Sequence, residues 1–152
     1  MLKSHNYASH GKDCGVMNIA ICDDNLHFAQ TLESRIKDYF ARIDRNCKIR
    51  VFSDPTVLLK ADLAQTQILF LDIDMPGING IDVAKEIRKR AIDLFVVYVT
   101  AWIEYAPDGY RVNAFRYLLK NRLDHELAAC ISDIREKMSE SRERVQFVGN
   151  WN

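Results

Sequence analysis

"LFLDIDMPGING", residues 69–80, runs without a polar break into Asp72, adds a second carboxylate at Asp74, and turns on Pro76, Gly77 and Gly80. A short stretch that is apolar at every position is what a strand covered on both faces requires. The Pro and Gly after it punctuate its end. Asp72 therefore stands where a buried strand meets a loop. A lone carboxylate in such a place is costly unless it is paired, hydrogen-bonded or bound to a metal, so the reading of the chain turns on what keeps Asp72 company.

Working outward, apolar runs alternate with helical spacing. "MNIAIC" (17–22) reads as a strand, followed by Asp23-Asp24-Asn25, residue types that cap helices. Residues 26–43 then place Phe28, Leu32, Ile36, Tyr39 and Ile43 at helical intervals. "KIRVF" (48–52) is a second strand, and Asp54-Pro55 opens a short helix through Val57, Leu58 and Leu59. Beyond the central stretch, "NGIDVAKEIRKR" (79–90) gives a helix burying Ile81, Ala84, Ile87 and Ala91. "LFVVYVT" (94–100) is a fourth strand, rich in β-branched and aromatic residues. "EYAPDGYRV" (104–112) predicts a short helix interrupted by Pro107 and Gly109. "AFRYLLK" (114–120) is a fifth strand, and a last helix over 123–144 turns Leu127, Ile131, Ile134 and Met138 inward. Five βα units in series predict an α/β fold, a doubly wound five-stranded parallel sheet.

The bulk numbers agree with one domain. The chain has 152 residues, 48% hydrophobic and 28% charged, enough for one proper core and short for two. Lys+Arg and Asp+Glu stand at 21 each, so no net field draws it to nucleic acid or an anionic membrane. The longest apolar stretch, "LFVVYV" (94–99), is too short to span a bilayer. The four cysteines, Cys14, Cys22, Cys47 and Cys130, form no metal or redox motif, and two fall in strands as small hydrophobes, which places the chain in the cytoplasm. The polar residues 1–16 have no apolar centre of a signal peptide and are expected to form a disordered extension, native or added.

In an open parallel sheet, sites form outside the carboxyl ends of the strands. Strand one ends in Asp23-Asp24, strand three in Asp72, strand four in Thr100 and strand five in Lys120, while Ser53 and Asp54 after strand two are loop residues. Three carboxylates brought together raise one another's pKa unless a cation intervenes. Hard oxygen ligands suit Mg²⁺. A carboxylate beside Mg²⁺, with a lysine ammonium and a threonine hydroxyl to receive incoming charge, is an arrangement for accepting a phosphoryl group as an acyl phosphate.

On "ICDDN" (21–25), "LFLDIDMPGINGIDVAKEIRK" (69–89), "VVYVTAW" (96–102) and "AFRYLLK" (114–120), the chain resembles the receiver domain of two-component response regulators, the CheY-like superfamily, over about residues 17–140. The wording of 104–120 is most similar to receivers of the LytTR (LytR/AlgR) class. The resemblance implies a flavodoxin-like (βα)5 sheet of strand order 2-1-3-4-5. It makes Asp72 the phosphoacceptor, Asp23 and Asp24 the acidic pair for Mg²⁺, and the backbone carbonyl of Asp74 a further ligand. Thr100 and Tyr117 become the switch hydroxyl and switch aromatic, and Lys120 the phosphate-pairing lysine. It implies a sensor histidine kinase as donor and a receiver domain over 17–144. Residues 145–152 would be a linker stub toward a missing output domain that binds DNA in the full-length parent, the receiver itself binding none. Phosphate would draw in Thr100, let Tyr117 turn inward, and reshape the face of the fourth helix, fifth strand and fifth helix, with homodimerisation as the consequence. Such a domain catalyses only its own phosphorylation and dephosphorylation.

One departure is that Lys120 is succeeded by Asn121, where the family usually has a proline with a cis bond before it. Two alternatives stay open. Asp72-x-Asp74 also fits the nucleophile and general acid of a haloacid-dehalogenase-type phosphatase, although Met75-Pro76 occupies the turn and the acidic pair lies upstream. A receiver-like module that works without phosphorylation is the other. Among single residues, His27 reads as a helix-surface histidine, "KEIRKR" (85–90) as a solvated face, Asp74 as a turn former whose side chain meets solvent, and Trp102 as a shield of the pocket or a partner contact.

Overall fold

The computed structural model describes residues 15–90, 92–102 and 114–149, with side-chain surroundings as far as Arg142. In chain order the elements are β1 (Val16–Cys22), α1 (Leu26–Arg42), β2 (Asn46–Phe52), α2 (Pro55–Lys60), β3 (Ile68–Leu71), α3 (Gly80–Lys89), β4 (Phe95–Thr100), β5 (Arg116–Leu119), a 3₁₀ turn (Lys120–Arg122) and α4 (Leu123–Gly149). The strands form one parallel sheet in the order β2-β1-β3-β4-β5. This is the expected topology. The helix expected over 104–112 and the inward Ala91 lie outside the described residues.

All four residues of β3 and five of six in β4 are buried, as apolar runs covered on both faces demand. Alternate residues feed two separate cores. Ile19, Ile21, Ile68, Phe70, Val97 and Val99 pack beneath α1 and α4, while Ala20, Cys22, Leu69, Leu71, Val96 and Tyr98 pack beneath α2 and α3. Edge strand β2 alternates exposed with partly buried residues until its last two positions, consistent with one open side.

Caps set the helix starts where the sequence places them. Asn25, Asp54 and Asn79 each accept a hydrogen bond from a first-turn amide, and Pro55 sits at the first position of α2. The buried stripe of α1 is shifted from the expected one. Ala29, Leu32, Ile36 and Phe40 are buried, whereas Phe28, Tyr39 and Ile43 lie only partly against the core. The small Ala29 faces the sheet and lets Phe40 reach the interior, leaving the larger rings on the helix flank. On α3, Val83 joins Ile81, Ala84 and Ile87. On α4, Leu127, Ile131 and Ile134 are buried with Cys130, and Met138 lies at the margin. α4 continues past residue 144 to Gly149, through residues expected to form a linker, because no breaker precedes that glycine.

Candidate functional site

Sheet register builds the site. Cys22 of β1 pairs with Leu71 of β3, so the next residues, Asp23 and Asp72, leave adjacent strands at the same level. The ladder carries on one step further. Asp72 N–H donates to the Cys22 carbonyl at 2.9 Å, and Asp23 N–H donates to the Phe52 carbonyl at 3.0 Å. Neighbouring strands lie about 4.8 Å apart, which forces the two side chains together. One carboxylate oxygen from each of Asp23, Asp24 and Asp72 falls within 4.8 Å of the others. Asp23 and Asp72 are buried and Asp24 is exposed. Thr100 of β4 is fully buried and pairs with Leu119 of β5, directly before Lys120.

Lys120 closes the cluster. Its Nζ lies 2.8 Å from Asp23 Oδ2 and 3.4 Å from Asp72 Oδ2. The described residues contain no cis peptide bond, and Lys120 reaches both carboxylates with Asn121 after it. Burial, then the neighbouring Asp23 carboxylate, push the Asp72 carboxyl up to about 6, against the opposing pull of the Lys120 ammonium and the Asp74 amide. An ion pair would ordinarily lower a carboxyl; here desolvation and a like charge outweigh it. The Cys22 thiol behind the cluster is pushed up to about 12 by burial and then by Asp23 and Asp72, so it stays protonated and inert.

Glycine is required twice in the turn after Asp72. Gly77 has φ +90°, in the left-handed region. A Cβ on Gly80 would stand 2.1 Å from the Asp72 carbonyl oxygen, and Gly80 N–H donates to the Ile73 carbonyl at 2.8 Å. The first turn of α3 is thus pressed against the backbone that carries Asp72. Asn79-Gly80 reads as a helix start in the sequence, but nothing there shows that close approach.

Asp74 has its carboxylate outside the acidic cluster. The side chain is exposed, as expected of a turn former, but it is not left to solvent alone: the Trp102 indole Nε1–H donates to Asp74 Oδ2 at 3.1 Å. Trp102 thereby spans the gap between the loops after β3 and β4. Its backbone N–H donates to Thr100 Oγ1 at 3.4 Å, and its carbonyl accepts from the Tyr117 hydroxyl. Tyr117, half-buried, tilts against Tyr98 at 6.3 Å between ring centroids. His27 is exposed on α1, as expected. In 85–90, Lys85 and Lys89 are exposed and pair within the helix with Asp82 and Glu86, while Arg88 turns back to the Leu94 carbonyl. One residue expected only in the core belongs to the site: the ring of Phe28 lies under Lys120 Nζ.

The donor set fits a small hard cation, with carboxylate oxygens from two buried side chains and one exposed to water.

The family model described as the response regulator receiver domain matches residues 19–132. Sensory transduction protein LytT of Oceanobacillus iheyensis is 37% identical over 83 residues, covering 53% of this chain and 34% of LytT. Transcriptional regulatory protein YpdB of Escherichia coli is 30% identical over 105 residues, covering 68% of this chain and 41% of YpdB. The chain thus spans well under half the length of these relatives. The LytT match agrees with the likeness to LytTR-class regulators. Among solved structures, the response regulator TrrA of Thermotoga maritima in complex with Mg²⁺-BeF superposes with a TM-score of 0.67 at 25% identity, covering 78% of this chain and 98% of TrrA.

Proposed function

The chain belongs to the response regulator receiver domain family, and from that premise we propose that Asp72 takes a phosphoryl group from a sensor histidine kinase. The observation that carries this reading is the convergence of Asp23, Asp24 and Asp72 within 4.8 Å, with Lys120 Nζ against two of them. Asp23, Asp24 and Asp72, with the backbone carbonyl of Asp74, would hold Mg²⁺. Bound there, Mg²⁺ supplies neutralisation of the transferring phosphoryl charge.

The chain's own groups do the rest. A carboxylate oxygen of Asp72 attacks phosphorus, and the P–N bond of the phosphohistidine breaks with its electron pair returning to the imidazole. Lys120 moves its ammonium from the carboxylate oxygens to a phosphoryl oxygen, and the Thr100 hydroxyl donates a hydrogen bond to another. The Trp102 peptide ties Thr100 to Tyr117, because its N–H holds the threonine oxygen and its carbonyl holds the tyrosine hydroxyl. A displacement of Thr100 is therefore passed to Tyr117 at the edge of β5. From there it biases the face of β5 and α4, which homodimerises on phosphorylation.

In this reading the chain turns over no external substrate. It occupies the cytoplasm, in keeping with the free thiols of Cys22 and Cys130, both buried. Residues 17–144 form the receiver, and the segment after residue 144 leads toward an output domain that binds DNA in a longer parent. Intact-mass analysis after acetyl phosphate and Mg²⁺ tests the proposal: wild type gains one phosphate and Asp72→Asn gains none. Uptake by Asp72→Asn overturns the assignment.

A further inference from the structure

We propose that Phe28 is a positioning residue, whose ring face holds the Lys120 ammonium over Asp23 and Asp72; the inference rests on the phosphoacceptor reading above. Lys120 Nζ lies 4.4 Å from the Phe28 ring centroid, well inside the distance of about 6 Å at which an aromatic quadrupole attracts a cation. The lysine side chain is only 18% exposed, so the attraction works with little water between the partners.

The backbone gives Lys120 little guidance. It opens a three-residue 3₁₀ turn that has no side-chain cap. Asn121 leaves the bond after Lys120 without the constraint a proline ring supplies, and a free lysine stem has large rotamer entropy. The ring compensates from a fixed place. Asn25 Oδ1 accepts from Phe28 N–H at 3.1 Å, and Asn25 N–H donates to Asp23 Oδ1 at 2.9 Å. Asp23, Asn25, Phe28 and Lys120 therefore form a closed circuit, with the ammonium 2.8 Å from Asp23 Oδ2. One short loop after β1 positions both the carboxylate and the ring that flank the ammonium. A ring face has no lone pair to align with a particular N–H, so it retains the charge while leaving the three donors free to exchange carboxylate for phosphoryl oxygens.

Phe28 also packs partly against the core under α1 and α4, so the test must separate filling from ring electronics. Phe28→Leu keeps an apolar side chain without the quadrupole, and Phe28→Tyr keeps both. In the full chain, without Mg²⁺ or donor, the Lys120 ε-methylene protons are expected upfield in wild type and Phe28→Tyr through the ring current, and near ordinary lysine positions in Phe28→Leu. With Mg²⁺ and acetyl phosphate, the initial rate of phosphate uptake falls about three- to tenfold in Phe28→Leu and less than about twofold in Phe28→Tyr. An unchanged shift and rate in Phe28→Leu, or equal losses in the two variants, overturns the inference. A wild-type chain that takes up no phosphate overturns the phosphoacceptor reading instead, and the proton shift still decides whether the ring holds the ammonium.

Discussion

The two ends of the same strands are built on opposite terms. At the amino end, Gln67 is stitched between β1 and β4. Its side-chain oxygen accepts from Asn18 N–H at 2.8 Å, its own N–H donates to the Asn18 carbonyl at 2.8 Å, and its carbonyl accepts from Phe95 N–H at 2.9 Å. Every backbone group in that clamp is neutral and has a partner. At the carboxyl end, β1 and β3 deliver two buried carboxylates to one spot, and a lysine reached from β5 offsets only part of their repulsion. The amino end serves stability, and the carboxyl end holds an electrostatic conflict between buried like charges.

The backbone under the carboxyl-end site is the most sensitive point. Gly80→Ala places a methyl group 2.1 Å from the Asp72 carbonyl oxygen, and is expected to cost about 3 kcal/mol in urea unfolding, the upper range for overpacking. A variant as stable as wild type would show that the loop after β3 gives way easily.

Next comes the charge conflict itself. With its carboxyl raised from 3.8 to about 6, Asp72 holds a proton in the folded chain across a pH window where the unfolded chain has released it. Folded stability therefore declines as pH rises through that window, and the cost is fully present above it. In metal-free buffer, Asp72→Asn is expected to be more stable than wild type at pH 7, by about 2 kcal/mol once the roughly 3 kcal/mol of the full shift is discounted for screening by water at the open side of the site. The gap closes as pH falls toward 3.8. A gap that does not change with pH removes titration of Asp72 as its source.

The amino-end clamp is expected to respond least. Gln67→Ala leaves the Asn18 amide without its side-chain partner and is expected to cost about 1 kcal/mol. The loss should be the same at pH 5 and pH 7, with phosphate uptake unchanged. If uptake falls with stability, the two ends are not independent.

Much of this is legible from the chain alone, for a physical reason that differs by element. Asp54-Pro55 announces α2 because a cap and its helix are neighbours in sequence. The apolar runs at β3 and β4 announce buried strands because both faces must be covered. The α1 stripe departs from expectation by one position: Phe28, Leu32 and Ile36 keep helical spacing as well as Ala29, Leu32 and Ile36, and only the packing distance to the sheet selects the alanine. The same ambiguity hides Phe28 from the site. A partly buried aromatic on a helix looks like core, and only Lys120, brought from the far end of the sheet, gives its ring a second task. Asp74 looks like a plain turn former because its partner, Trp102, lies on another loop.

By itself, the order of residues determined the kind of elements, their caps and the acidic and basic groups at the strand tips, since periodicity, capping and strand termination act over a few neighbouring positions. Tertiary structure alone decided which of those groups touch. Parallel register set Asp23 level with Asp72, the long Lys120 side chain reached both from β5 across β4, and the close seat of Gly80 held the loop in place. Those contacts join residues distant along the chain, and their distances come from sheet spacing and packing that no local stretch encodes.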